Sequence, residues 1–172
     1  MKSKFRTMPY SKELQNIFAN KFDCGNSAIN AFLKSYDALD SLFGRTYVLL
    51  SDNECIVGYY NISTGDIADE KNIRIGGSVY LNYFAVDEKY QKVKYDEYGY
   101  ISDFLLGDCI NRVMEIQENY VGFSFITLSS TEEGYKLYER NGFYELEDDM
   151  IMAKNTGEKT CYPMYLPLEV ED

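Results

Sequence analysis

The chain has 172 residues, 45% hydrophobic and 26% charged, which suits one folded domain and excludes a disordered or low-complexity polymer. Seventeen Lys and Arg stand against 28 Asp and Glu, a net charge of −11 that disfavours a general nucleic-acid-binding surface and favours a small cationic amine or basic peptide as substrate. Histidine is absent, which removes Ser-His-Asp and Cys-His catalysis and every imidazole metal site.

The 17 Tyr and 10 Phe, with no Trp, predict a sizeable core and an aromatic-lined cleft. Cys24, Cys55, Cys109 and Cys161 form no CxxC pair, so no zinc ribbon or other metal site is expected. Behind Met1-Lys2-Ser3-Lys4-Phe5-Arg6 there is no apolar run of the signal-peptide kind, nor any stretch near the ~18 apolar residues of a membrane span. Reduced thiols in a cytoplasmic protein that does not engage membranes are the expectation.

From Asp23 to Leu39, apolar residues at Ala28, Ile29, Phe32, Leu33, Tyr36 and Leu39 recur in steps that predict a helix in one or two pieces. Tyr47–Leu50, the turn cluster at Ser51-Asp52-Asn53, and Cys55–Ile62 predict a hairpin. Residues 65–77, with their glycines and aspartates, read as a polar loop. Val79–Val86 reads as a third strand, and Ile101–Glu118 as a helix with Ile101, Phe104, Leu105, Cys109, Val113 and Ile116 on one side. Phe123–Leu128 predicts a largely buried strand. A helix is expected from Thr131, its N-cap, to Asn141, with Gly142 at the C-cap. Strand is expected again from Phe143 through Met152, and Met164-Tyr165-Leu166 would add an edge strand. The order predicts a single α/β domain over residues 1–172, with a strand–loop–helix crossover at its middle.

Four short stretches within residues 22–152 carry a family resemblance. They are Ile56-Val57-Gly58-Tyr59-Tyr60, Leu81-Asn82-Tyr83-Phe84-Ala85-Val86-Asp87-Glu88-Lys89-Tyr90-Gln91, Ile101-Ser102-Asp103-Phe104-Leu105-Leu106, and Leu137-Tyr138-Glu139-Arg140-Asn141-Gly142-Phe143. In this order they resemble the GNAT superfamily of N-acetyltransferases. The resemblance implies a mixed, mostly antiparallel central sheet flanked by helices, acetyl-CoA as co-substrate, no metal, and direct acetyl transfer to a primary amine.

Residue by residue, the resemblance places the pantetheine arm along Phe84, Ala85 and Val86, and the diphosphate near Gln91, Lys92, Lys94, Gly99, Ile101 and Ser102. Thr131 stands where the family often has a cofactor-bridging Asn, and Tyr138 where it has the tyrosine that protonates the leaving thiolate. Here the loop after Gln91 is longer than the family's and poor in glycine, and Gly99 is its one residue free to take a positive φ without strain. Residues 145–149 hold Glu145, Glu147, Asp148 and Asp149, which either attract a cationic amine or form a solvated face. No general base stands out, and nothing suggests a lowered pKa for Cys24.

Two rival readings stay open. The unusual loop fits a degenerate domain that binds a regulatory partner without activity. Phe22-Asp23-Cys24-Gly25 followed by Phe32-Leu33 resembles the branch that includes toxins of toxin–antitoxin pairs, which acetylate aminoacyl-tRNA. The charge of −11 sets that nucleic-acid acceptor, and the antitoxin it implies, behind a small amine or basic peptide. A homodimer is compatible with either.

Overall fold

A computed structural model describes residues 5–52, 54–97, 99–152 and 161–169. In chain order the elements are β1 (Phe5–Pro9), α1 (Lys12–Phe18), α2 (Ser27–Lys34), β2 (Arg45–Ser51), β3 (Ile56–Asp69), β4 (Arg74–Val86), α3 (Ile101–Asn119), β5 (Phe125–Ser130), α4 (Tyr135–Arg140), β6 (Tyr144–Glu145), β7 (Met150–Met152) and β8 (Tyr162–Pro167). The strands follow the order β1-β2-β3-β4-β5-β8-β6, with β7 paired to β3. β4 and β5 run parallel, while β1–β2, β2–β3, β3–β7, β5–β8 and β6–β8 are antiparallel. This is the mixed, mostly antiparallel α/β sheet expected from the sequence.

The chain divides into two compact units, Met1–Ile62 with Asn82–Cys109, and Ser63–Leu81 with Ile110–Asp172. In the first, Ala19, Phe22, Leu33, Val48, Leu50, Ile56, Tyr59 and Ala85 form one buried cluster. Helix α2 contributes through Leu33, fully buried, and its start is held by Asn26, whose side chain accepts from the Ala28 and Ile29 N–H groups. The Tyr59 hydroxyl donates to the Ile29 carbonyl at 2.8 Å, and the Tyr10 hydroxyl to that of Leu33 at 2.9 Å. Burial pushes both phenols well above the usual tyrosine range. In the second unit, Ile126, Leu128 and Met164 are fully buried, and the Ser78 and Thr127 hydroxyls pair at 2.8 Å, so the buried polar groups are satisfied.

Several expectations need correction. Residues 65–77 are not a polar loop: β3 continues to Asp69 and β4 already begins at Arg74. Glycine within the pair is a matter of close approach, since a Cβ on Gly65 would meet the Ser78 Oγ at 2.8 Å. The helix expected over Asp23–Leu39 ends at Lys34 and gives way to turns. That expected from Thr131 is a single turn and a half beginning at Tyr135. The strand expected through Met152 breaks into β6 and β7, and β8 lies between β5 and β6 rather than at an edge. Strand β1 and helix α1 were not foreseen. Among the described residues, no helix is long and apolar enough to cross a membrane.

Candidate active site

In the first unit, the end of β4 supplies the predicted strand edge. Ala85 and Val86 are buried and Phe84 is half-buried. The pairing of β4 with β5 covers Ser78–Leu81, so these three residues lie beyond that ladder. The chain then enters a tight turn around Asp87, a carboxylate only 3% exposed. Its Oδ1 accepts from the Lys89 N–H at 3.0 Å and its Oδ2 from the Asp23 N–H at 3.1 Å. The Glu88 N–H donates in return to the Asp23 carbonyl at 2.8 Å. Gln91 closes the same turn, its Nε2 donating to the carbonyls of Val86 at 2.8 Å and Cys24 at 3.0 Å.

The long loop is a folded piece rather than an open cradle. Lys94 and Tyr100 form an antiparallel bridge, and the Tyr95 N–H donates to the Gly99 carbonyl at 2.9 Å. Tyr95 stacks on Phe104 with ring centroids 4.2 Å apart and leans on Phe5 at 5.9 Å. This packing fixes the loop on the first turns of α3. Gly99 does not use the freedom its lack of a side chain gives it: the left-handed residue is Lys92, at φ 61°. The reversal needed after Gln91 falls at the loop's entry, whereas Gly99 sits in the returning arm of the hairpin.

At the start of α3, Tyr100 and Ile101 have their N–H groups satisfied within the protein, by Asp103 Oδ2 at 3.0 Å and by the Val93 carbonyl at 2.9 Å. Ser102 follows in the first turn, where helix geometry leaves N–H groups without an intrahelical acceptor and the dipole is positive. Lys92 and Lys94 are exposed, and the Lys94 Nζ lies 5.8 Å from the centre of the Tyr100 ring. The donor set therefore fits a diphosphate, with two ammonium groups and a helix start replacing most of a glycine cradle. The carboxylate of Asp103 beside the helix start opposes it.

In the second unit, Thr131 and Tyr138 meet across Gly134. Thr131 is not the N-cap, a place that falls to Gly134 with no side-chain cap; its Oγ1 instead accepts from the Gly134 N–H at 3.2 Å, in the turn that precedes α4. A Cβ placed on Gly134 would stand 3.3 Å from the Tyr138 ring and 3.5 Å from the Thr131 Oγ1. Tyr138 is 8% exposed and packs edge-on against Phe143 at 5.6 Å. The helix end is closed by Gly142 at φ 95°, with its N–H on the Glu139 carbonyl and the Phe143 N–H on that of Tyr138.

The predicted residues thus fall into two groups: Phe84 through Ser102 in the first unit, Thr131 and Tyr138 in the second. Asp23, Asp87 and Asp103 hold the first group in place and were missed. Asp87-Glu88-Lys89 carried the one local signal, an Asp able to cap the N–H two residues on. Burial pushes the Cys24 thiol up, in keeping with no nucleophilic role. Glu145, Glu147, Asp148 and Asp149 are exposed. Burial first, and then Glu145 and Glu147, raise the neighbouring Tyr135 and Tyr165 phenols.

No family model and no curated protein sequence matches the chain. Solved structures do match its fold. The KacTA–DNA complex superposes with a TM-score of 0.73 at 22% identity, over 95% of this chain and 92% of that one. A mutant of the toxin AtaT bound to the C-terminus of the antitoxin AtaR gives 0.70 at 20% identity, over 95% and 93%. AtaT complexed with acetyl-methionyl-tRNAfMet gives 0.69 at 20% identity, over 95% and 94%. The chain has the GNAT fold of these toxins, as the sequence resemblance implied.

Proposed function

We propose that this chain is an acetyl-CoA-dependent N-acetyltransferase. The observation that carries the reading is the strand end Phe84–Val86 leading through a rigid turn into the start of a nineteen-residue helix flanked by Lys92 and Lys94. The similar AtaT has been solved with acetyl-CoA bound, which supports it.

When bound, acetyl-CoA supplies an acetyl group activated as a thioester. The main chain of Phe84, Ala85 and Val86 holds the pantetheine arm by pairing as an added strand would. Lys92, Lys94 and the first-turn N–H of Ser102 hold the diphosphate. Thr131 fixes the turn before α4, and the Tyr138 hydroxyl would give its proton to the departing sulfur, a donor role open to a phenol.

For the acceptor, the α-amine of an aminoacyl-tRNA comes first, supported by the toxin neighbours and by the tRNA-bound AtaT structure. An antitoxin partner belongs to this reading. The charge of −11 supports a second acceptor class, a free cationic amine or basic peptide, which the chain's field draws in rather than repels. Transfer from radiolabelled acetyl-CoA, compared on charged tRNA, polyamines and basic peptides, separates the two. Label in the aminoacyl group alone supports the toxin reading; label in polyamines or peptides alone replaces it with the second. The satisfied Tyr100 and Ile101 N–H groups favour a third reading, a binding module without cofactor. Wild-type protein that takes up no acetyl-CoA would establish that one instead.

A further inference from the structure

We propose that Gln91 is a positioning residue for the cofactor loop and not a ligand of the cofactor; the inference rests on the acetyl-CoA reading above. A glutamine amide nitrogen has two N–H bonds. In this chain they point to two carbonyls, Val86 at 2.8 Å and Cys24 at 3.0 Å. Nothing is left on that nitrogen to offer a phosphate oxygen, and the amide oxygen, an acceptor, does not attract one.

What Gln91 joins explains its use. Val86 ends β4, the strand whose edge takes the pantetheine arm. Cys24 belongs to the segment that leads into α2, and the Cys24 N–H itself donates to the Asn30 Oδ1 at 2.9 Å, a second restraint. Asp87 and Glu88 stitch the neighbouring Asp23 to the same turn from both sides. Asp23 Oδ1 in turn accepts from the Gly25 N–H at 2.9 Å and the Asn30 Nδ2 at 2.8 Å. Residues 23–25 and 86–91 therefore form one hydrogen-bonded clasp with Gln91 as its last link. Immediately after it comes Lys92 in the left-handed conformation, which sets the direction in which Lys92 and Lys94 leave the strand. Loosening Gln91 lets that direction wander, and two ammonium groups that had been held near one anion must be ordered again on binding.

The test compares Gln91→Ala and Gln91→Glu with wild type, first without ligand. A glutamate has no N–H to donate at neutral pH, so both variants lose both bonds. Hydrogen exchange should speed up at residues 24–25 and 92–94, and the apo Tm should fall by about 2–6 °C, as expected for two hydrogen bonds of ordinary strength. With acetyl-CoA, Kd and KM should rise about fivefold for Gln91→Ala while kcat stays within twofold. The dependence of Kd on salt should keep its wild-type slope, because no charge on the ligand has lost its partner. Weakened binding with unchanged apo exchange and Tm would make Gln91 a direct ligand and overturn the proposal. A lower apo Tm with unchanged Kd would make the clasp purely structural and overturn it too. Wild type that binds no acetyl-CoA would remove the enzyme reading and with it the positioning role, a result distinct from either of these.

Discussion

The loop that enters α3 and the turn that leaves α4 solve the same problem of reversing the chain beside a candidate site residue, and they do so by different means. After Tyr138 the reversal rests on one residue, Gly142 at φ 95°, and on hydrogen bonds within five residues of sequence. After Val86 it rests on Asp23, Cys24, Asp87 and Gln91, partners more than sixty residues apart, with an ordinary lysine at φ 61°. A reversal built on glycine is local and self-sufficient. One built on long-range hydrogen bonds is as stable as the segments it ties together, and it can carry a charged side chain at the turn itself.

The largest effect should come from the local device. Gly142→Val forces a β-branched residue into the left-handed region and should cost about 2 kcal/mol, lowering Tm by roughly 4–8 °C. Gly99→Ala, which has no positive φ to defend and a nearest contact of 3.3 Å to the Asp103 Cβ, should move Tm by about 1 °C at most. Calorimetry on the pair tests the contrast, and equal losses would contradict it. Tyr138→Phe should lower kcat at least about tenfold while acetyl-CoA affinity stays within about threefold, since the hydroxyl acts on the leaving group. An unchanged kcat would take Tyr138 out of the mechanism.

Lys92→Ala combined with Lys94→Ala should weaken acetyl-CoA binding roughly fivefold, less in high salt, with apo stability nearly unchanged. Titration at two salt concentrations reads this directly, and a salt-independent loss would point to altered loop structure instead. The smallest effect separates the units by pH. Tyr10 and Tyr59 stay protonated in the folded first unit well beyond the point where they ionise in the unfolded chain. Their stabilisation is complete below about pH 10 and is lost as pH rises above it toward their folded values. Thermal melts between pH 9 and 11.5 should steepen there, and Tyr59→Phe should flatten the slope. A slope unchanged in that variant would remove Tyr59 as the cause.

What was legible in the sequence divides along the same line. Helix α3, the β2–β3 hairpin and the Gly142 cap follow from periodicity, a turn cluster and one glycine, all signals within a few residues. The clasp at Gln91 could not be read, because nothing near Cys24 announces that its carbonyl will meet a side chain 67 positions later. Gly99 drew attention as the only glycine of its loop, yet the clasp, not intrinsic freedom, decides where the chain turns left-handed. Residues 65–77 looked like a loop for the same reason, since Gly65, Gly76 and Gly77 serve close neighbours such as Ser78 and Phe125 rather than a turn. Strand β1 escaped because five residues with Pro9 at the end show no alternation, and it is its antiparallel ladder to β2 that makes it a strand.

The central claim is that a glycine-poor loop, held by distant hydrogen bonds and armed with two lysines, still receives acetyl-CoA. Isothermal titration of the wild-type protein with acetyl-CoA tests it most directly. The account predicts saturable one-to-one binding that weakens as salt rises, as ammonium–phosphate contacts require. No heat and no saturation at millimolar acetyl-CoA would contradict it.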